Sequence, residues 1–315
     1  MTASDWQIEG HDSAIDFLQK SLLHGRNRHA YLFVGAANIG KNALAHSFAA
    51  ALNCEQEDIE SRPCWECASC KRLLSGNHPD MMYVEHDDRT GKIKVDMVRD
   101  LMQLLALKPY SSRYRIAILD DFDEAYPQAQ DALLKTLEEP APHAVLLLLA
   151  KSTEKVLSTI TSRCQLIRLR PAPVNTVADL LEKNGASAGD ATLLARLSSG
   201  RTGWAMHALD SEEVMQKRGK ALDTLHAALM GNRAIRFGIA EDLDKLAKKE
   251  SKPALHYILE IWQTYWRDLL LLTTRSGADI CNQDRADELD NLALQLTPDD
   301  TLTALNATRE MMHRT

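Results

Sequence analysis

The chain has 315 residues, a net charge of −7, and 45% hydrophobic, 26% charged and 5% aromatic residues. That length exceeds one ordinary core and fits two or three domains, and the composition excludes a disordered or fibrous chain. The acidic balance excludes a protein that grips nucleic acid over its whole surface by counterion release, so any such contact is local or supplied by partners.

No run approaches the roughly 18 apolar residues of a membrane span, and the start lacks a basic segment followed by an apolar one. The expectation is a cytoplasmic protein with no membrane partner. In that compartment the six cysteines read as metal ligands or buried thiols rather than a disulfide framework.

In chain order, apolar residues recur at helical spacing from Gly10 to His24 (Ala14, Ile15, Leu18, Leu22), which predicts a helix ahead of the first strand. Strands are predicted at Ala30 to Val34, Met81 to Glu85, Ile116 to Asp120, Ala144 to Ala150 and Leu166 to Leu169. Helical patterns at about Lys41 to Asn53, Val95 to Ala106, Tyr126 to Glu138 and Glu154 to Thr161 separate them. Strands alternating with helices at this spacing predict a parallel sheet wrapped by helices, with ligands beyond the carboxyl ends of the strands. Pro171-Ala172-Pro173 closes this α/β domain, expected over residues 1–170, because two prolines in three residues resist both helix and sheet. Short helical patterns broken by Asn184-Gly185 and by the Ser198 to Gly203 stretch predict a small helical subdomain over 171–210. From 211 to 315 almost every window is helical, with the most apolar helix at about Pro253 to Thr274, so an all-helical third domain is expected.

Three local patterns carry chemistry. Gly35-Ala36-Ala37-Asn38-Ile39-Gly40-Lys41-Asn42 follows the apolar run Tyr31 to Val34 and precedes a helix. A strand feeding a glycine-containing turn and then a helix aims backbone N–H groups at phosphate oxygens, and a lysine reaches the outer phosphates. Gly35, Gly40 and Lys41 keep that pattern. A Ser or Thr hydroxyl belongs at the next position to ligate magnesium, and Asn42 offers only an amide, a poorer ligand for a hard cation. Asp120 and Asp121 end a strand where an ATPase holds magnesium and polarises water, but Asp121 is one methylene shorter than the usual Glu. The loop therefore reads as a nucleotide loop not built for hydrolysis; whether ATP or ADP still binds without turnover is left open by the residues.

Cys54, Cys64, Cys67 and Cys70 form a C-x9-C-x2-C-x2-C cluster, while Cys164 and Cys281 stand alone. Four thiolates suit one tetrahedral structural zinc ion, closed to catalysis, stapling an insertion over 54–70; the other reading is buried free thiols or a redox pair. His78-Pro79-Asp80 just beyond reads as a turn into a strand rather than a source of a fifth ligand. Third, Ser162-Arg163-Cys164 precedes the last strand. Its guanidinium either projects toward a neighbouring subunit's phosphates or pairs with a local carboxylate.

Taken together, the loop, the four-cysteine insertion, His78-Pro79-Asp80, Ala132-Leu133-Leu134-Lys135-Thr136-Leu137-Glu138-Glu139-Pro140 and Ser162-Arg163-Cys164 resemble the clamp-loader AAA+ subunits of bacterial DNA polymerase III, on the delta-prime side of that family. The strong motifs cover about Gly10 to Arg170. The resemblance implies an AAA+ module with a helical lid and an all-helical collar, in a hetero-pentameric ring with gamma/tau motor and delta subunits that loads a sliding clamp onto primed DNA. It also implies that Arg163, with Ser162 and Cys164 as its motif, is the arginine finger offered to ATP on a neighbouring motor subunit. The departures from the motor pattern point one way. Asn42 replaces its Thr, Asp121 its Glu, Ala150-Lys151-Ser152 its phosphate-sensing threonine stretch, and Gly203 its second sensor arginine, with Arg201 displaced by two residues. An active ATPase of the gamma/tau type and a zinc-stapled DNA-binding module are the alternative readings.

Overall fold

The structure, a computed structural model, describes residues 6–87, 90–249 and 252–314. The chain divides into two compact units. One holds the residues up to Thr176 together with Arg201–Gly203, and the other holds Val177–Gly200 and the residues from Trp204 onward.

In the first unit β1 (Ala30–Val34), β2 (Met81–Val84), β3 (Arg115–Leu119), β4 (Ala144–Ala150) and β5 (Gln165–Arg168) form a parallel sheet in the order β2-β3-β4-β1-β5. Every residue of β1 and β4 is buried, as expected for strands covered on both faces, and this is why both read as unbroken apolar runs. Helices α1 (Asp12–Leu23), α2 (Lys41–Asn53) and α3 (Ala68–Leu74) lie among the elements of this unit, as do α4 (Val95–Leu105), α5 (Pro127–Glu138) and the four-residue α6 (Ser158–Thr161). One sheet face packs Tyr31, Phe33 and Ile118 against Leu18 of α1 and Phe48 of α2, with Tyr31 and Phe48 edge to face at 4.9 Å. The other packs Leu32, Leu119 and Leu148 against α4 and α5.

The register pairs Val34 with both Ala150 and Arg168, and Leu119 with Leu148. The segments that follow β1, β3 and β4 thus leave the sheet at one edge, where ligands of open α/β sheets bind. The glycine loop leaves β1, an interior strand of this order, at that edge.

One predicted element is shortened. The helical pattern at Glu154 to Thr161 yields helix only from Ser158. Buried Gln130 of α5 explains this, since its amide donates to the Lys155 carbonyl (2.9 Å) and its carbonyl accepts from the Leu157 N–H (2.9 Å). Those backbone groups, already satisfied by a side chain, are held in a turn instead of starting a helix.

The second unit is helical, as predicted for the C-terminal region. It draws on α7 (Val174–Lys183), α8 (Ala188–Leu197), α9 (Thr202–Asp210), α10 (Glu212–Met230), α11 (Arg233–Lys249), α12 (Lys252–Thr273), α13 (Ala286–Ala293) and α14 (Pro298–Arg314). Helix α12 supplies Ile261, Tyr265, Trp266 and Leu269 to the core of this unit, which explains its apolar circumference. Among the described residues no helix is long and apolar enough to cross a membrane.

Candidate functional site

The glycine loop closes on the first turn of α2. Gly40 caps that helix at φ 106°, a left-handed conformation that favours glycine. Lys41 is buried, and its Nζ donates to the carbonyls of Gly35 (2.8 Å) and Ala36 (2.9 Å). Burial pushes the lysine pKa down, and the nearby Asp120, Asp121 and Asp123 carboxylates pull the other way.

Two contacts change the chemistry of this corner. The Asn42 amide Nδ2 donates to Asp120 Oδ2 at 3.0 Å, so a neutral N–H donor faces the carboxylate that the pattern assigns to a cation. Asp121, at the left-handed φ of 45°, lies 3.5 Å from the Lys151 Nζ and 3.8 Å from His86 Nδ1. The Lys151 ammonium thus occupies a side of the carboxylate that an ATPase would keep open toward an attacking water. Lys151 also donates its backbone N–H to buried Asp123 (3.1 Å), which fixes the end of β4.

The loop's far side is gripped by residues that no sequence pattern singled out. The Ile39 carbonyl accepts from His11 Nε2 (2.7 Å) and from the Thr202 hydroxyl (3.1 Å). Burial lowers the His11 pKa, which favours the neutral ring. Gly203 sits so close to the loop that an added Cβ would lie 2.9 Å from the Asn38 carbonyl oxygen. The position thus lacks an arginine and also has no room for any side chain without moving loop backbone. Thr202 and Gly203 carry no local signal of this, because their partners lie more than 160 residues away.

The four cysteines converge. The Sγ atoms of Cys54, Cys64, Cys67 and Cys70 all lie within 4.8 Å of one another, with Cys54 and Cys70 fully buried. Backbone N–H groups of Cys67 and Cys70 donate to the sulfurs of Cys64 (3.3 Å) and Cys67 (3.4 Å), the donation that supports thiolates in a knuckle. Burial raises the Cys64 pKa, but N–H groups of Glu66 and Cys67 and the neighbouring thiols outweigh it and bring it to about 7. Burial pushes Cys54 and Cys70 up.

His78 takes no place in this cluster. Its Nδ1 accepts from the Asp80 N–H (3.1 Å), and its Nε2 contacts the hydroxyls of Ser69 (3.0 Å) on α3 and Ser112 (3.2 Å). Asp80, fully buried, accepts the N–H groups of Tyr110 (2.5 Å), Ser111 (2.9 Å) and Ser112 (3.0 Å). Burial would raise its pKa, yet these three donors together lower it. The His-Pro-Asp turn thus ties the cysteine insertion, the start of β2 and the 110–112 turn together. Asp80→Ala leaves three N–H groups without their acceptor and is expected to destabilise the chain by about 2–4 kcal/mol, read by urea unfolding.

Arg163 follows α6 with its side chain 37% exposed. Its Nη1 donates to the Thr159 carbonyl (3.0 Å) and its Nη2 to Glu138 Oε1 (2.9 Å). The local-carboxylate pairing is therefore present, and its acceptor comes from the Leu137-Glu138-Glu139-Pro140 stretch. Cys164 packs beside it against the sheet, and burial pushes its thiol up to about 12, as fits a packing residue.

The family described as DNA polymerase III, delta subunit, matches residues 10–173, more than half of the chain. The chain belongs to the delta-prime clamp-loader family. It is 40% identical over 146 residues to the DNA polymerase III subunit delta′ of Pseudomonas aeruginosa, covering 46% of this chain and 44% of that protein. It is 28% identical over 297 residues to the delta′ of Bacillus subtilis, covering 94% and 88%. It is also 29% identical over 292 residues to the DNA polymerase III subunit tau of Bacillus subtilis, covering 86% of this chain and 51% of tau. The chain thus spans about half the length of the tau relative and less than half of the Pseudomonas one. The region matched to the clamp-loader family takes in the loop, the cysteine cluster and Arg163, while Gly203 lies beyond it. Similarity to both delta′ and tau makes the details of the site, rather than the overall likeness, the ground for deciding what this family member does.

Proposed function

We propose that the chain is a non-hydrolysing, delta-prime-like subunit of a DNA polymerase III clamp loader that offers Arg163 in trans to ATP held by an adjacent motor subunit. One observation carries the reading: both carboxylates at the end of β3 are engaged by the chain's own side chains, Asp120 by the Asn42 amide and Asp121 by the Lys151 ammonium. Magnesium-assisted phosphoryl transfer needs the first carboxylate on the metal side and the second beside water. Gly35, Gly40 and Lys41 keep the inherited loop, so nucleotide binding without turnover is compatible with this reading. The isolated chain is expected to show no magnesium-dependent ATP hydrolysis above background; appreciable turnover that disappears in Lys41→Ala would overturn the proposal in favour of a gamma/tau-type ATPase, the reading that the tau similarity favours.

The cysteine cluster supports a structural zinc ion held by Cys54, Cys64, Cys67 and Cys70. Zinc–sulfur bonds of about 2.3 Å in a tetrahedron place sulfurs about 3.8 Å apart, and the four sulfurs here all lie within 4.8 Å of one another. No water-activating group enters the donor set, so the ion would hold the 54–70 insertion and take no part in chemistry.

In this assignment residues 1–170 act as the AAA+ module, 171–210 as a lid and 211–315 as a collar. The partners are motor and delta subunits in a hetero-pentameric ring, with the sliding clamp and primed DNA reached through the complex. The net charge of −7 disfavours a DNA-binding module acting alone.

A further inference from the structure

Glu138 occupies an electrostatically poor position. It is the last residue of α5, where the exposed carbonyl end of the helix disfavours a carboxylate, and Glu139 follows it. It is 53% exposed, so the pair it forms with Arg163 lies in solvent and contributes little to folding. What the pair does accomplish is geometric. Arginine is a long side chain with large rotamer freedom, and here its guanidinium is pinned on both terminal nitrogens, by the Thr159 carbonyl one turn back and by Glu138 from a different helix. The backbone beneath it is fixed as well, because the N–H of Arg163 donates to Ile160 and Cys164 anchors the next position in the core. The two acceptors use one N–H on each terminal nitrogen and leave the second N–H of each, together with Nε–H, for an anion.

We infer that Glu138 is a positioning residue for Arg163, holding the guanidinium in the orientation in which its remaining N–H groups meet the phosphates of a neighbouring subunit's ATP. This role rests on the finger reading given above. The gain comes from order set before the subunits meet: an arginine already restrained loses less freedom when it reaches the transferring phosphoryl group, and a small misplacement there is costly in rate. A carboxylate that merely competed with phosphate for the cation would have the opposite effect, slowing turnover when present.

The test uses the full chain assembled with its clamp-loader ATPase subunits and follows steady-state ATP hydrolysis. Glu138→Ala is expected to lower kcat about threefold to tenfold with KM for ATP changed less than about twofold. Glu138→Gln, which retains an acceptor oxygen for Nη2, is expected to stay within about twofold of the parent rate. Combining Glu138→Ala with Arg163→Ala is expected to match Arg163→Ala alone, since one residue acts through the other. An unchanged or raised kcat in Glu138→Ala, alongside a lowered rate in Arg163→Ala, overturns the positioning role while leaving the finger standing. A parent-like rate in Arg163→Ala overturns the finger reading and this role with it. Failure of Glu138→Ala to assemble, measured by gel filtration, assigns the residue to a subunit contact and likewise overturns the proposal.

Discussion

Arg163→Ala, introduced into the assembled complex, is expected to lower ATP hydrolysis by roughly tenfold or more while the chain itself stays folded. The magnitude follows from what a guanidinium does in phosphoryl transfer. Charge spreads over the equatorial oxygens of the transferring group, and an arginine supplied from a neighbouring subunit is worth about 10³–10⁵ in kcat where it has been isolated in GTPases. A ring with several sites shows a smaller overall fall when one finger is removed. Folding is spared because the lost contacts are an exposed ion pair and one bond to the Thr159 carbonyl, together at most about 1 kcal/mol after solvent screening. Turnover of the complex and the melting temperature of the lone chain check the two halves separately. A parent-like turnover would return Arg163 to the simpler role of pairing with Glu138.

Loss of metal is the second large effect. The purified chain is expected to carry about one zinc, and replacing Cys67 and Cys70 by serine is expected to release it and unfold the 54–70 insertion. Binding energy at such sites is folding energy, about 10–16 kcal/mol for zinc-finger peptides, although here the insertion packs against a core supplied mostly by α1, α2 and the sheet, which keeps most of the unit folded. Buried Cys54 and Cys70 have no water to solvate a thiolate if the ion leaves, so a strong chelator is expected to lower the melting temperature of the parent and to leave the double-serine variant unaffected. Elemental analysis checks the stoichiometry, and limited proteolysis between Glu55 and Cys70 reports the local unfolding. A metal-free parent protein with the same melting temperature would replace zinc by a cluster of packed thiols.

Much of the α/β unit was legible because its signals are local. Fully buried parallel strands read as apolar runs, so Ala30 to Val34 and Ala144 to Ala150 are matched by β1 and β4 to the residue. Glycine at a left-handed turn, cysteines at short spacing and a His-Pro-Asp turn are likewise patterns whose physics acts within a few residues. The helix expected from Glu154 failed for the same reason in reverse. Its periodicity is real, but Gln130, 25 residues earlier, takes the backbone groups that a helix would have used.

The sequence by itself determined the strand and helix order, the clustering of Cys54, Cys64, Cys67 and Cys70, and the presence of Asn42 and Asp121 where the nucleotide-loop pattern expects other residues. Each depends on residue type and near spacing. Only the tertiary structure decided what these and related residues touch: Asn42 donates to Asp120 across 78 positions, Lys151 faces Asp121, the Asn38 backbone fills the space beside Gly203, and Glu138 accepts from Arg163. These contacts join residues brought together at one sheet edge and at the ends of two helices, and no period or motif within the chain encodes a distance across a fold.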